Sequence, residues 1–259
     1  MTDLRFPFGL PVTERKPFIF EPRLAYILGA YPSALHVRWV PPSPYRVIKA
    51  IAVDDEPETF WNGQAEEGLI EAWKESVHFD PDWGEIFTAG RLNGSSGLWV
   101  DEKVLKPLGL ERGKSVWLSD CLETYRLSSK LLRRLEDTYT PFAEEMDLPE
   151  YNLQPHPSEE EIVCEALEDQ LDRICEELEE AKPSIIITLG NAALRVMRQI
   201  LGTQSIPEKL VPSEALYGKP VDIAALGGKE ILLCLAHPAA PKQYQIVHDG
   251  WIKRLPEII

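Results

Sequence analysis

Four short apolar runs, residues 24–30, 115–120, 184–189 and 230–236, constrain this chain most, because each is followed by polar or helix-forming sequence. Their apolar character is nearly continuous, the pattern of strands covered on both faces and hence of a parallel sheet. An α/β fold is the expectation. Residues 158–181 predict the longest helix. Val163, Leu167, Leu171, Ile174 and Leu178 recur at helical spacing, and Ser158 with Glu161 forms a capping-box pattern. Its outer face is strongly acidic, Glu177 being one of eleven carboxylates read onto it. Residues 191–201 predict a further helix with Asn191 at its N-cap and Gly202 at its stop, and residues 243–255 a last one.

Between the first two apolar runs lies a long segment in which residues 46–53 read as a strand and 66–77 as a helix. No repeat or low-complexity linker separates independent domains. The expectation is one domain over residues 1–259 with an insertion at about residues 35–90. The formal net charge of −15 argues against a protein that coats nucleic acid or an anionic membrane without specificity. Cys121, Cys164, Cys175 and Cys234 stand singly in apolar stretches, without zinc or disulfide spacing, and read as buried thiols of a reducing compartment. Residues 1–16 carry early Arg and Pro and no long apolar run. No signal peptide or membrane span is expected, and the location expected is the cytoplasm.

Three segments together resemble the uracil-DNA glycosylase superfamily, closest to its iron–sulfur branch. The first is Gly29-Ala30-Tyr31-Pro32-Ser33 after a strand, where the superfamily carries Gly-x-x-Pro against the flipped base. The second is Asn93-Gly94-Ser95-Ser96-Gly97, followed after a helix by Val116-Trp117-Leu118-Ser119-Asp120. The third runs from Asn152 through Pro157, Glu161, Cys164 and Pro183 to Thr188-Leu189-Gly190-Asn191-Ala192-Ala193, then Ala236-His237-Pro238-Ala239-Ala240, similar to the family's His-Pro loop. The resemblance implies a three-layer α/β/α sandwich around a central four-stranded, mainly parallel sheet. Only Cys164 falls at a cluster-cysteine position, so no iron–sulfur cluster, metal or other cofactor is expected.

A glycosylase must hold an extruded base and stabilise charge as the glycosidic bond breaks. The resemblance gives His237 the role of donating a hydrogen bond to the base carbonyl oxygen as negative charge builds there. Asp120 stands where the family commonly has asparagine. An ionised aspartate only accepts hydrogen bonds, whereas a protonated one could donate to N3 of cytosine and accept from its amino group. The catalytic pair expected is His237 and Asp120. The base-binding set is Gly29, Ala30, Tyr31, Pro32, Ser33, Leu92, Asn93 and Asp120. Ser33 replaces a tyrosine that blocks C5 substituents and Leu92 aligns near the stacking phenylalanine, which suggests a C5-modified cytosine of the kind some viral genomes carry. Ala30 and Tyr31 leave the usual water activator missing. Asp54, Asp55 and Glu56 are candidates to replace it, or a solvated turn, and Trp39, Tyr45 and Trp61 a platform, or core.

DNA is the partner implied, held locally by a few cations. The candidates are Arg126, Lys130, Arg133 and Arg134 after the second strand, with Pro238, Ala239, Lys242 and Gln243 at the His-Pro loop. A monomer is expected. The leading reading is excision of a modified cytosine, with repair of uracil or another deaminated base, or an inert base-binding module, as alternatives.

Overall fold

In the computed structural model, residues 3–14, 21–202, 204–223 and 230–258 are described, with side chains to Leu255. Among the described residues eight strands form, β1 Ala25–Gly29, β2 Ala34–Val40, β3 Ile48–Asp55, β4 Glu85–Thr88, β5 Val116–Asp120, β6 Ile185–Leu189, β7 Val221–Ile223 and β8 Glu230–Leu235. The α-helices are α1 Glu66–Ser76, α2 Ser95–Val100, α3 Ser129–Arg134, α4 Thr140–Glu145, α5 Glu159–Asp169, α6 Leu171–Ala181, α7 Asn191–Leu201 and α8 Lys242–Ile258. The chain divides into two compact units. One is drawn from Met1–Arg15, Pro32–Leu98 and Thr124–His156, and the other from Lys16–Tyr31, Trp99–Glu123 and Pro157–Ile259.

The second unit holds a mixed, mostly parallel sheet in the order β5-β1-β6-β8-β7, so the protein is α/β. Its four parallel strands are the four apolar runs, each trimmed by a residue or two. The sheet has five strands rather than four, because β7 pairs antiparallel with β8 at the edge. Three residues long, β7 carries no periodic signal that sequence could reveal. Registers Gly29↔Asp120, Leu28↔Thr188 and Leu189↔Leu235 align the carboxyl ends of β5, β1, β6 and β8 along one edge. One face of this sheet, with Tyr26, Leu28, Trp117, Ile186 and Leu232, packs on Val163 and Ala166 of α5, Leu178 of α6 and Met197 of α7. Burial of each large side chain there contributes about 1.5–3 kcal/mol.

The predicted helix over 158–181 is two helices, broken at Gln170, whose φ of −119° and ψ of 0° leave the helical region. No glycine or proline marks the break. The capping box forms as expected, with Ser158 Oγ accepting from Glu161 N–H and Glu161 Oε2 accepting from Ser158 N–H. Ser158→Ala should lower stability by about 1 kcal/mol, read as a shift in the urea midpoint at unchanged slope. The N-cap of α7 is Gly190 rather than Asn191, whose Oδ1 instead accepts from Leu210 N–H. Gly202 ends α7 in the left-handed region, as the sequence predicts.

In the first unit an antiparallel sheet, β3-β2-β4, packs on an aromatic core. Phe8, at φ 66°, is surrounded by Trp39, Trp73, Phe79, Trp83 and Tyr139 at ring-centroid separations between 5.1 and 6.1 Å. Its N–H donates to the Tyr139 hydroxyl at 2.6 Å. Residues 35–90, read as an insertion, form about half of this unit. Trp39 and Trp61 are buried core rather than a platform.

Of the cysteines, Cys121 and Cys234 are buried, but Cys164 is exposed and Cys175 half-buried, because the apolar stripe of α5 and α6 passes beside them. Among the described residues no group of three or more His, Cys, Asp or Glu could hold a metal ion. Among the described residues no helix is long and apolar enough to cross a membrane.

Candidate functional site at the strand ends of the second unit

The carboxyl edge of the parallel strands brings together Asp120 at the end of β5, Gly29 at the end of β1 with Ala30 and Tyr31 after it, the Gly190 turn after β6 and His237 after β8. Such an edge exposes loop backbone and helix N-termini to a ligand, which is why open α/β sheets bind there. Beyond β5 the chain stays on β1, with Cys121 N–H donating to Gly29 C=O and Leu122 N–H to Ala30 C=O. Three strand spacings separate the β5 and β8 ends, about 14 Å along the edge.

His237 sits in a tight turn. Its Nδ1 accepts from Ala239 N–H at 3.1 Å and its carbonyl accepts from Ala240 N–H at 2.8 Å. A ring nitrogen that accepts carries no proton, so the neutral imidazole holds its hydrogen on Nε2. Burial lowers the His237 pKa from its ordinary value and keeps this neutral form at physiological pH. The turn lies against Gly190, at φ 94°, where a Cβ would stand 3.2 Å from the His237 Cβ. Glycine is needed there for both reasons. The first turn of α7 begins at that glycine with no side-chain cap.

Asp120 is 7% exposed. Strand alternation puts its side chain on the sheet face opposite Ser119, and Ser119 faces α6. The Asp120 backbone is held from that α6 side: Arg173 Nη2 donates to the carbonyls of Asp120 at 2.7 Å and Cys121 at 3.2 Å, while Nη1 donates to Ser119 Oγ at 3.0 Å. Glu177 completes the network. It is buried, not on the outer face, with Oε1 2.6 Å from Arg173 Nη1 and Oε2 accepting from the Tyr26 hydroxyl at 2.6 Å. Burial, with the Glu177 carboxylate beside it, pushes the Tyr26 phenol well above its usual pKa. Arg173 is the sole cation between Ser158 and Ala181, a signal in the sequence that points to a charged partner inside the fold.

Arg173 and Glu177 also border a cleft of about 1060 Å³ that runs beside α6 from Glu123 to Glu230. His237 and Asp120 do not line it. In the His-Pro turn, Ala239 is exposed and Pro238 half-buried, and Lys242 and Gln243 open α8 as exposed side chains. Gly29 is buried, and Ala30 and Tyr31 are half-buried.

The remaining predicted residues belong to the first unit. Pro32 is buried, Ser33 exposed, and Leu92 55% exposed. Asn93 is a structural pin: its Oδ1 accepts from His36 N–H at 2.9 Å, and its Nδ2 donates to His36 C=O and to Glu66 Oε1, each at 2.7 Å. That amide is committed to β2 and α1, which corrects its assignment to base binding. The neighbouring Gly94 and Gly97 press on residues 60–63 so closely that a Cβ would meet backbone atoms near 2 Å. Packing therefore accounts for the Asn-Gly-Ser-Ser-Gly segment in this unit. Lys130 and Arg133 are exposed, but Arg126 is 7% exposed and is no part of a solvent-facing rim. Asp55 Oδ2 accepts from Thr13 N–H at 2.8 Å and Thr13 Oγ1 at 2.6 Å, and Glu56 is buried.

No family model matches the chain, and no curated protein matches it.

Proposed function

We propose that the chain is a DNA glycosylase of the uracil-DNA glycosylase type, with that family's three-layer arrangement, which releases a flipped, C5-modified cytosine and leaves an abasic site. The observation that carries the reading is His237: a neutral imidazole whose tautomer is fixed by Ala239 N–H, with Nε2–H meeting no hydrogen-bond partner among the described residues, on a loop at the ligand-binding edge of a parallel sheet. An aligned donor of this kind stabilises charge where it develops, without reorganising as the reaction proceeds.

In this reading the bond between C1′ and the base nitrogen breaks with its electron pair moving into the base. Nε2–H of His237 donates to the base carbonyl oxygen as that charge gathers. Asp120, in its protonated form, passes a proton to N3 so that the base leaves neutral, and water adds to C1′ and returns a proton to the carboxylate. The span of about 14 Å between the β5 and β8 ends suits two side chains that meet through an intervening base rather than directly. Lys242, Gln243 and the exposed His-Pro turn supply local contacts to the DNA strand, which agrees with a chain whose overall charge repels phosphate.

The test is excision from duplex and single-stranded DNA carrying uracil, cytosine or a C5-modified cytosine, with abasic product read by alkaline strand cleavage. Product from the modified cytosine alone supports the reading, and product from uracil alone assigns the protein to repair. Binding without product marks an inert module, a second reading favoured by Ala30 and Tyr31, which supply no carboxylate. Asp120→Asn should move preference from cytosine toward uracil by about tenfold to a hundredfold in the ratio of kcat/KM, because an amide donates and accepts in the complementary sense. An unmoved ratio removes Asp120 from base recognition.

A further inference from the structure

Behind the His-Pro turn lies a buried polar chain that the proposed chemistry does not use. Ala236, 1% exposed and one residue before His237, donates its N–H to the Tyr217 hydroxyl at 2.8 Å. The same hydroxyl lies 2.8 Å from Nδ1 of His248, which is 1% exposed, and Nε2 of His248 lies 3.0 Å from the Lys103 carbonyl. The direction of every bond follows. A carbonyl only accepts, so His248 Nε2 carries the hydrogen and Nδ1 offers a lone pair. Tyr217 therefore donates to His248 and accepts from Ala236, and each polar atom is satisfied with the imidazole neutral. Burial lowers the His248 pKa, in agreement with that state.

A second tether reaches the same turn. Gln245 Nε2 donates to the carbonyls of Pro238 at 3.1 Å and Ala240 at 3.4 Å, and its Oε1 accepts from Trp99 Nε1 at 3.0 Å. The Trp99 ring lies 4.7 Å from the His248 ring, so both tethers converge on one buried cluster. The Ala236 N–H lies beyond the β6–β8 ladder, whose last register pair is Leu189↔Leu235. With its strand partners used up, this buried donor takes its acceptor from the phenol.

We propose that Tyr217 and His248 are positioning residues that set the height and orientation of the His237 loop, Tyr217 through the Ala236 N–H and His248 through Tyr217. This role rests on the reading of His237 as the donor to the base. The arrangement suits that task, because an imidazole that must point Nε2–H at one atom needs its loop held at both ends. Ala236 fixes one end and the Gln245 contacts fix the other.

The test compares wild type, Tyr217→Phe, His248→Leu and His248→Asn, with Val196→Ala in α7 as a stability control. Tyr217→Phe should raise amide exchange at Ala236 about tenfold relative to the other β8 amides. It should also move the His237 ring-nitrogen shifts away from the single Nε2–H tautomer. His248→Leu should do the same, while His248→Asn, whose side-chain oxygen stands in for Nδ1, should restore much of the wild-type pattern. Val196→Ala should move neither signal selectively. On a cleavable DNA, Tyr217→Phe should lower kcat about tenfold with KM unchanged. Ala236 exchange and His237 shifts unaltered in Tyr217→Phe overturn the positioning role whether or not DNA is cleaved. The two signals changing in a protein that cleaves no modified, unmodified or deaminated cytosine leaves positioning intact and overturns the glycosylase reading instead.

Discussion

His237→Ala should slow base release by about a hundredfold to a thousandfold in single-turnover assays, the cost of removing one preorganised donor from a developing oxyanion. DNA affinity should change little, because the donor works mainly as the bond breaks. The side chain is half-buried and its Nδ1 partner is its own turn, so among the described residues the substitution removes no distant hydrogen bond. Stability should accordingly fall by no more than about 1 kcal/mol. A full-rate variant would remove His237 from the chemistry.

The pH profile gives the same residue a second signature. Burial lowers its pKa in the folded protein below the usual value of about 6.5, so the neutral donor is fully present at pH 7. Protonation adds a hydrogen to Nδ1, which then faces Ala239 N–H donor to donor and opens the turn. The share of excision that depends on the neutral His237 donor should hold constant as pH falls through about 6.5 and decline only below the depressed pKa. The unfolded chain takes up that proton first. The contribution of His237 to stability is thus complete above about pH 6.5 and is lost as pH falls from there toward the folded pKa.

The parallel strands of the second unit were legible because each is a short apolar run bounded by polar sequence, so pattern alone limits it to within two residues. β2 and β4 escaped notice for opposite reasons. β2 carries His36 and Arg38 among apolar neighbours on one continuous stretch, and β4 is four residues long and mostly exposed, with Ile86 alone of its residues half-buried on the core. The break at Gln170 is set by tertiary packing, α5 against α7 and α6 against β1, and no local breaker announces it. Of the site, the His-Pro turn could be read from residue types, because histidine before proline after an apolar strand is a local pattern. Asn93 and Arg126 could not, since a polar residue spent inside the fold looks the same in sequence as one that faces a ligand. The partner of Asn93 is His36, 57 residues away, and nothing local marks it. Glu177 was hidden among other carboxylates for the same reason. Only its i,i+4 relation to Arg173 hints at an inward pair.

That inward pair carries a large expected stability effect. With side chains 17% and 4% exposed, Arg173 and Glu177 are removed from most of the screening that makes surface pairs such as Lys114 with Glu111 nearly worthless. Glu177→Ala removes the nearer of the two carboxylates that face the buried guanidinium, leaving Glu123 at 3.6 Å, and takes the acceptor from the Tyr26 hydroxyl. The expected loss is about 3–5 kcal/mol in urea unfolding. Arg173→Met should cost a similar amount by removing the cation that faces the Glu177 and Glu123 carboxylates and the donor to the carbonyls of Asp120 and Cys121. The combination of Glu177→Leu, Arg173→Met and Tyr26→Phe should cost less than the sum of the three alone, because it removes the Tyr26–Glu177–Arg173 chain together and leaves only Glu123 of its charges. Strict additivity would mean that the three side chains act separately. The same variants bear on function through the backbone: Arg173 clamps the carbonyl of Asp120 itself, so the repaired triple variant, folded but unclamped, should lose discrimination between cytosine and uracil while His237 still supports base release.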